Sequence, residues 1–235
     1  MNAAIEGFAQ GGAKEFLVAD GHGHGAINPK LLDARAELAR NWAPPPYTFS
    51  MERGMTFCAY VGQHAMSRTE FAHLAHTGSC GVFETTINGQ PVGEFGEGTL
   101  CATELGIRTI FAAGDLALTK EARALVAGIE TVAVKRGTTP GRGDECTRET
   151  YCKRNLGAIH LSPVRARQLI RAGAERAIRR AMQDGSFGRV PFKPPFERVT
   201  ILRAQKGQPK RVGRSSHPDS VIALMNAPMK FETLQ

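Results

Sequence analysis

Three of the seven histidines, His64, His73 and His76, fall in one stretch, FCAYVGQHAMSRTEFAHLAHTGSC, running from Phe57 to Cys80. A neutral imidazole offers a lone pair near pH 7, so rings held by a rigid scaffold suit metal ligation or proton transfer. Two more, His22 and His24, alternate with glycines in Asp20-Gly21-His22-Gly23-His24-Gly25. Glycines there let the backbone turn sharply and approach an ion or substrate. Glu94 sits in Gly93-Glu94-Phe95-Gly96, between small and apolar neighbours where a carboxylate needs a partner. A metal ion would serve, and so would a lysine or arginine; the residues alone favour the ion pair.

These side chains need elements to aim them. The apolar run Phe57 to Val61 predicts a buried strand that stops at Gly62 and delivers His64 to its carboxyl end, with His73 and His76 following on a polar turn or short helix. Upstream, Asn2 to Gln10 predicts a helix closed by Gly11-Gly12. Glu15 to Ala19 predicts a strand covered on both faces, ending at Asp20. Asn28 to Asn41 has a helical pattern with Pro29 in its first turn, and Pro44-Pro45-Pro46 a stiff connector. Val82 to Ile87 predicts a strand, Asn88-Gly89 a hairpin turn, and Pro91-Val92 its return.

Then the pattern repeats. A helix over Glu97 to Leu105, a strand over Thr109 to Ala113, a helix over Thr119 to Val126 and a strand over Glu130 to Val134 form a βαβ series. This predicts an α/β fold: a mainly parallel sheet flanked by helices, with a carboxyl-terminal strand and helix addition. Right-handed crossovers put the strand ends on one edge, where Asp20, His22, His64 and Asp115 can converge, although Asp115 reads better as a helix cap or surface residue. Residues 136–155 read as a long loop, and Val164 to Met182 as a helix with a solvated arginine face. Phe196 to Leu202 and Ser220 to Met225 add a strand and a short helix, and His217 reads as surface. The expected division is a core over 1–190, and an extension over 191–235 that packs on the core or on a neighbouring subunit.

Composition narrows the function classes. A chain of 235 residues, 42% hydrophobic and 22% charged, is an ordinary globular protein, and none of its apolar runs approaches the ~20 residues of a membrane span. The first residues lack the basic lead and long apolar core of an export signal, so a cytoplasmic location is expected. Five cysteines without a CxxC pair predict free thiols. The net charge of +8 is concentrated in the carboxyl-terminal half and not interleaved with aromatics, which argues against a nucleic-acid partner.

Taken in order, VADGHGHG from Val18, YVGQHA from Tyr60, LAHTGS from Leu74 and NGQPVGEFG from Asn88 resemble the zinc-dependent D-aminopeptidases, bacterial self-compartmentalising peptidases. The likeness extends through AAGDLALTKEA and AVK to the arginine-rich helix. The resemblance implies zinc as cofactor, His22, His64 and Glu94 as metal ligands, and His76 as the catalytic histidine. It leaves His24 and His73 as local residues, lets Asp20 orient a ligand ring, and implies a short peptide substrate and a ring-built homo-oligomer. The family begins with a strand bearing an Asp-x-Glu pair that completes a two-zinc centre, and no such pair precedes the first helix here. Two imidazoles and one carboxylate suffice for one tetrahedral zinc with an open position, so impaired activity is expected. The alternatives are another amide hydrolase on the same centre, or a metal-poor, non-catalytic homologue.

Overall fold

The computed structural model describes residues 1–21, 25–40 and 51–234. In chain order the elements are α1 (Asn2–Gln10), β1 (Phe16–Ala19), β2 (Ala36–Ala39), β3 (Phe57–Gln63), β4 (Val82–Ile87), β5 (Gln90–Val92) and α2 (Glu94–Glu104). Next come β6 (Arg108–Asp115), α3 (Leu116–Leu125), β7 (Glu130–Gly137), α4 (Arg148–Arg154), β8 (Ala158–His160) and α5 (Pro163–Gln183). The chain closes with β9 (Phe196–Leu202), β10 (Arg211–His217), α6 (Val221–Asn226) and β11 (Phe231–Thr233). His22, His24 and the Pro44-Pro45-Pro46 connector lie outside the described residues.

The fold is α/β, but parallel pairing covers only part of it. β3, β6 and β7 run parallel in that order with β8 antiparallel at one edge, and β1 and β2 form a separate parallel pair. The largest sheet, β11-β10-β9-β4-β5, is wholly antiparallel. The expectation of a mainly parallel sheet missed this second layer. Its strand β10 is mostly polar and β11 only three residues long, and pairing rather than apolar patterning makes them strands. Residues 196–233 thus share a sheet with the β4–β5 hairpin, whose Asn88 and Gly89 both adopt positive φ, as a tight hairpin turn requires.

β6 is buried along its whole length. Phe111 and Ala113 pack into a cluster with Ala174, Ala177 and Ile178 of α5, while Ala112 joins Leu100, Cys101, Leu118 and Ala122 of α2 and α3. Small residues bring α5 close: a Cβ on Gly7 of α1 would lie 2.1 Å from the Arg171 carbonyl oxygen. The arginine face of α5 is partly paired, with Arg171, Arg176 and Arg179 bridging to Glu6, Glu130 and Glu175. Among the described residues no helix is long and apolar enough to cross a membrane, and all five cysteines are free.

Three further expectations are corrected. The helix predicted over Asn28 to Asn41 is instead a three-residue 3-10 turn, capped by the Asn28 side chain, followed by β2. The Asp33 carboxylate takes the Arg35 backbone N–H and guanidinium, a local bond that competes with helix, and the edge of β1 then pairs with the chain. β1 itself is not covered on both faces: Val18 is buried but Leu17 is 42% exposed. The loop over 136–155 contains α4, capped by Thr147 and held by buried Tyr151, whose ring stacks 3.6 Å beneath the Arg203 guanidinium.

Gly114 lets the edge strand β3 approach β6 closely, since a Cβ there would stand 2.1 Å from the Gln63 carbonyl oxygen. Gly114→Ala is expected to cost about 1–3 kcal/mol by overpacking and to displace the end of β3. Urea unfolding measures the first effect, and a shift of the His64 ring resonances the second.

Candidate metal centre

The end of β3 is bent where it delivers His64. Val61 pairs with Ala113 and Gln63 with Gly114, so the register shifts between them, and Gly62 at φ +89° absorbs the irregularity. Such bulges re-aim the side chain that follows. His76 arrives on the turn after it, where Phe71 N–H donates to the Thr139 carbonyl and Leu74 N–H to the Asn155 carbonyl. His76 N–H in turn donates to Ala65 O at 3.3 Å, tying both histidine segments together. Glu94 is the first residue of α2, a favourable place for a carboxylate because helix N–H groups point at it.

These three side chains converge. The imidazole rings of His64 and His76 stack with centroids 3.8 Å apart. His64 Nε2 lies 3.4 Å from Glu94 Oε2, and His76 Nε2 lies 3.5 Å from Glu94 Oε1. Among the described residues the opposite nitrogens face carbonyl acceptors, His64 Nδ1 at 3.0 Å from Ala65 O and His76 Nδ1 at 2.7 Å from Leu74 O. A carbonyl cannot donate, so each Nδ1 carries the proton and each Nε2 presents its lone pair to the carboxylate. Lone pairs facing a carboxylate require a cation between them, either a proton or a metal ion. All three ligand atoms lie within 4.8 Å of one another, which suits a tetrahedral ion bound by nitrogen and oxygen. The Glu94 carboxylate is further held by the Gly78 N–H at 2.7 Å and the Gln63 amide at 3.4 Å. The lysine or arginine partner that the residues alone favoured for Glu94 is replaced by two imidazoles.

The pattern of the D-aminopeptidase family matches residues 1–212. The chain belongs to that family. A D-aminopeptidase of Bacillus subtilis (strain 168) is 32% identical over 130 residues, 53% of this chain and 46% of that protein. The chain thus spans about half the length of the curated relative it matches. A solved structure, the zinc-dependent D-aminopeptidase DppA from Bacillus subtilis, described as a self-compartmentalizing protease, shares the fold with a TM-score of 0.73. That match is 21% identical and covers 96% of this chain and 81% of that one.

Within this member of the family, His22 lies outside the described residues, so the group that converges is His64, His76 and Glu94. The Asp20 carboxylate, almost wholly buried, accepts the Ile27 N–H at 2.8 Å. Asp115 caps α3 through Ala117 N–H at 2.7 Å and accepts His73 N–H at 2.8 Å; it is a cap, as expected, but a fully buried one. His73 turns toward Lys135 and His160, and His217 accepts the Ser220 N–H at the end of β10.

Two carboxylates outside the four site motifs, Glu97 and Glu121, lie behind the site. Glu121 Oε2 accepts the Met66 N–H at 2.9 Å, two residues beyond His64, while its buried Oε1 has no hydrogen-bond partner among the described residues. Burial pushes Glu121 and Glu97 up to about 7. Spacing could have revealed Glu121, which follows buried Leu118 by three positions on the covered side of α3. At the centre itself, burial opposes charge on both partners and the pairing wins. Glu94 is held down to about 2 by His64, Gly78 N–H and His76, and His64 is raised above its usual value by Glu94 and the Ala65 carbonyl.

The signs of these shifts fix a pH window. A depressed carboxylate contributes stability that is present above its unfolded value of 4.5 and is lost as pH falls toward about 2. A raised imidazole contributes stability that is present below its unfolded value of 6.5 and is lost as pH rises through its folded value. The metal-free protein is therefore expected to gain most from the pair between pH 4.5 and 6.5. Urea midpoints recorded against pH in chelator check this, with Glu94→Gln flattening both limbs.

Proposed function

We propose that the protein is a zinc-dependent aminopeptidase that removes the amino-terminal residue, a D-amino acid by family likeness, from short peptides. The observation that carries the reading is the pair of Nε2 lone pairs turned onto the Glu94 carboxylate. Membership of the D-aminopeptidase family supports it. In this reading His64 and Glu94 hold the ion together with His22. Zinc, when bound, supplies Lewis acidity that polarises the scissile carbonyl and acidifies water.

The remaining roles belong to the chain. The bonds from Nδ1–H of His64 to Ala65 O and of His76 to Leu74 O lock both rings, so neither reorients as charge develops. His76 Nε2, with its lone pair inward, takes the proton that the attacking water gives up and returns it to the departing amine nitrogen. Gly78 N–H and Gln63 keep Glu94 oriented. The proposal extends to a homo-oligomeric assembly acting in the cytoplasm, with residues 1–190 carrying the site and 191–235 bracing it.

His76→Ala is expected to lower turnover of a D-alanyl dipeptide by at least about 100-fold while zinc content, read by atomic absorption, stays at the wild-type level. Loss of zinc together with turnover would make His76 a ligand instead of a proton carrier. Purified protein with no tightly held ion and no hydrolysis of any D- or L-dipeptide would remove the peptidase reading. Zinc binding at pH 7 is also expected to release protons, because His64, raised above 6.5, is partly protonated in the free protein. Calorimetric titration in buffers of different ionisation enthalpy measures that release.

A further inference from the structure

A second polar cluster occupies the same edge of the parallel sheet. Lys135, near the end of β7, pairs in register with Asp115 at the end of β6, and Gly114 before it pairs with Gln63, the residue preceding His64. Two strand spacings therefore separate Lys135 from the point where β3 releases His64, a span of roughly 10 Å. Lys135 Nζ lies 3.3 Å from His73 Nδ1, and the His73 ring meets the His160 ring edge-on at 5.6 Å. His160 is itself the antiparallel partner of Lys135 across the β7–β8 ladder. Three segments thus bring one ammonium and two imidazoles together.

The cluster is built, not incidental. Gly137 lets β7 approach the turn that carries His73, since a Cβ there would lie 2.5 Å from the Ala72 carbonyl carbon and 2.7 Å from His73 N. Gly137 N–H donates to Phe71 O and clips that turn in place. Among the described residues the carboxylate that acts on Lys135 is Asp115, and both its oxygens already accept backbone N–H groups of His73 and Ala117. Lys135 donates to the Nδ1 lone pair of His73, and the other ring nitrogen carries the proton and meets the Leu156 backbone carbonyl, so the ring is fixed beside the ammonium. Burial lowers the pKa of both groups, and the Lys135 charge lowers that of His73 further, so the imidazole stays neutral beside the ammonium. An ammonium whose counter-ion is committed elsewhere, set between a fixed neutral imidazole and a second imidazole, is a receptor for a small anion.

We propose that Lys135, His73 and His160 form an anion subsite that holds the free carboxyl terminus of a di- or tripeptide whose amino-terminal residue lies at His64, His76 and Glu94. This rests on the aminopeptidase reading. An extended peptide advances ~3.3–3.6 Å per residue, so two or three residues bridge the gap and longer chains overshoot it. The subsite therefore selects substrates by length as well as by charge.

The test uses the zinc-loaded full-length protein with D-alanyl-D-alanine as the free acid and as its C-terminal amide. Wild-type kcat/KM is expected to favour the free acid by about 10–100-fold, through KM, since a charge-assisted contact is lost in the amide. The ratio falls toward unity in Lys135→Gln and is kept in Lys135→Arg. Equal ratios in wild type and Lys135→Gln overturn the proposal. A second measurement is independent of turnover: acetate, titrated into zinc-loaded protein, is expected to shift the ring resonances of His73 and His160 in wild type and not in Lys135→Gln. Acetate shifts without hydrolysis of either peptide would sink the peptidase reading and leave the anion subsite standing. Absence of acetate shifts in wild type would overturn the subsite even if peptides are cleaved.

Discussion

A single carboxylate facing two imidazole lone pairs is the constraint around which this structure is arranged. Glu94 cannot rest against two Nε2 atoms unless a cation lies among them, because each Nδ1 proton is already committed to a backbone carbonyl. In the free protein a proton meets that need, which is why Glu94 is pushed down and His64 pushed up. On the proposed reading a divalent ion held by His64 and Glu94 would take the place of that proton and leave the His76 lone pair to carry one. The bend at Gly62, the clipped turn from Phe71 to Gly78 and the early start of α2 all hold these three groups in place.

The parallel sheet supplies the rigidity. β6 is buried from end to end between two helical layers, and its Gly114 lets β3 approach so closely that the end of β3 has little freedom. The carboxyl edge then carries two chemistries side by side, because Gln63, Gly114 and Ala133 share one line of register and the residues just beyond them project from the same rim. Placing ligand groups beyond the carboxyl ends of parallel strands is the usual solution in open α/β sheets.

Much of this could be read from residue order, and the failures have physical causes. The boundaries of α1 and β9 match the apolar spacing because their burial patterns are regular. His64 was legible as the residue after an apolar run. The convergence at Glu94 was not legible from its neighbours alone, since Gly93 at the cap and Gly96 in the first turn of α2 disguise a helix start, and the carboxylate's partners lie at the end of β3 and on its following turn. The segment over 28–40 carries good helix formers, yet the Asp33 turn and pairing with β1 override propensity. β10 was missed because its residues are polar and its strand character comes from neighbours on both sides. Lys135 gave no signal of its own, because its meaning depends on a register partner and on two histidines from distant segments.

The two clusters also differ in sign. Around the convergent histidines stand Glu94, Glu97 and Glu121, the latter two raised to about 7 by burial, with the Glu94 charge adding to it. Around His73 stand Lys135 and His160 with a counter-ion whose oxygens are already bonded. A field that runs from acidic to basic across roughly 10 Å is matched to a short zwitterion lying along the edge, amine toward the carboxylates and carboxylate toward the lysine. A neutral or internal peptide segment has no such dipole to align. On the proposed reading, then, the preference for a free amino terminus and for a short chain are not separate adaptations; both follow from the polarity of one sheet edge.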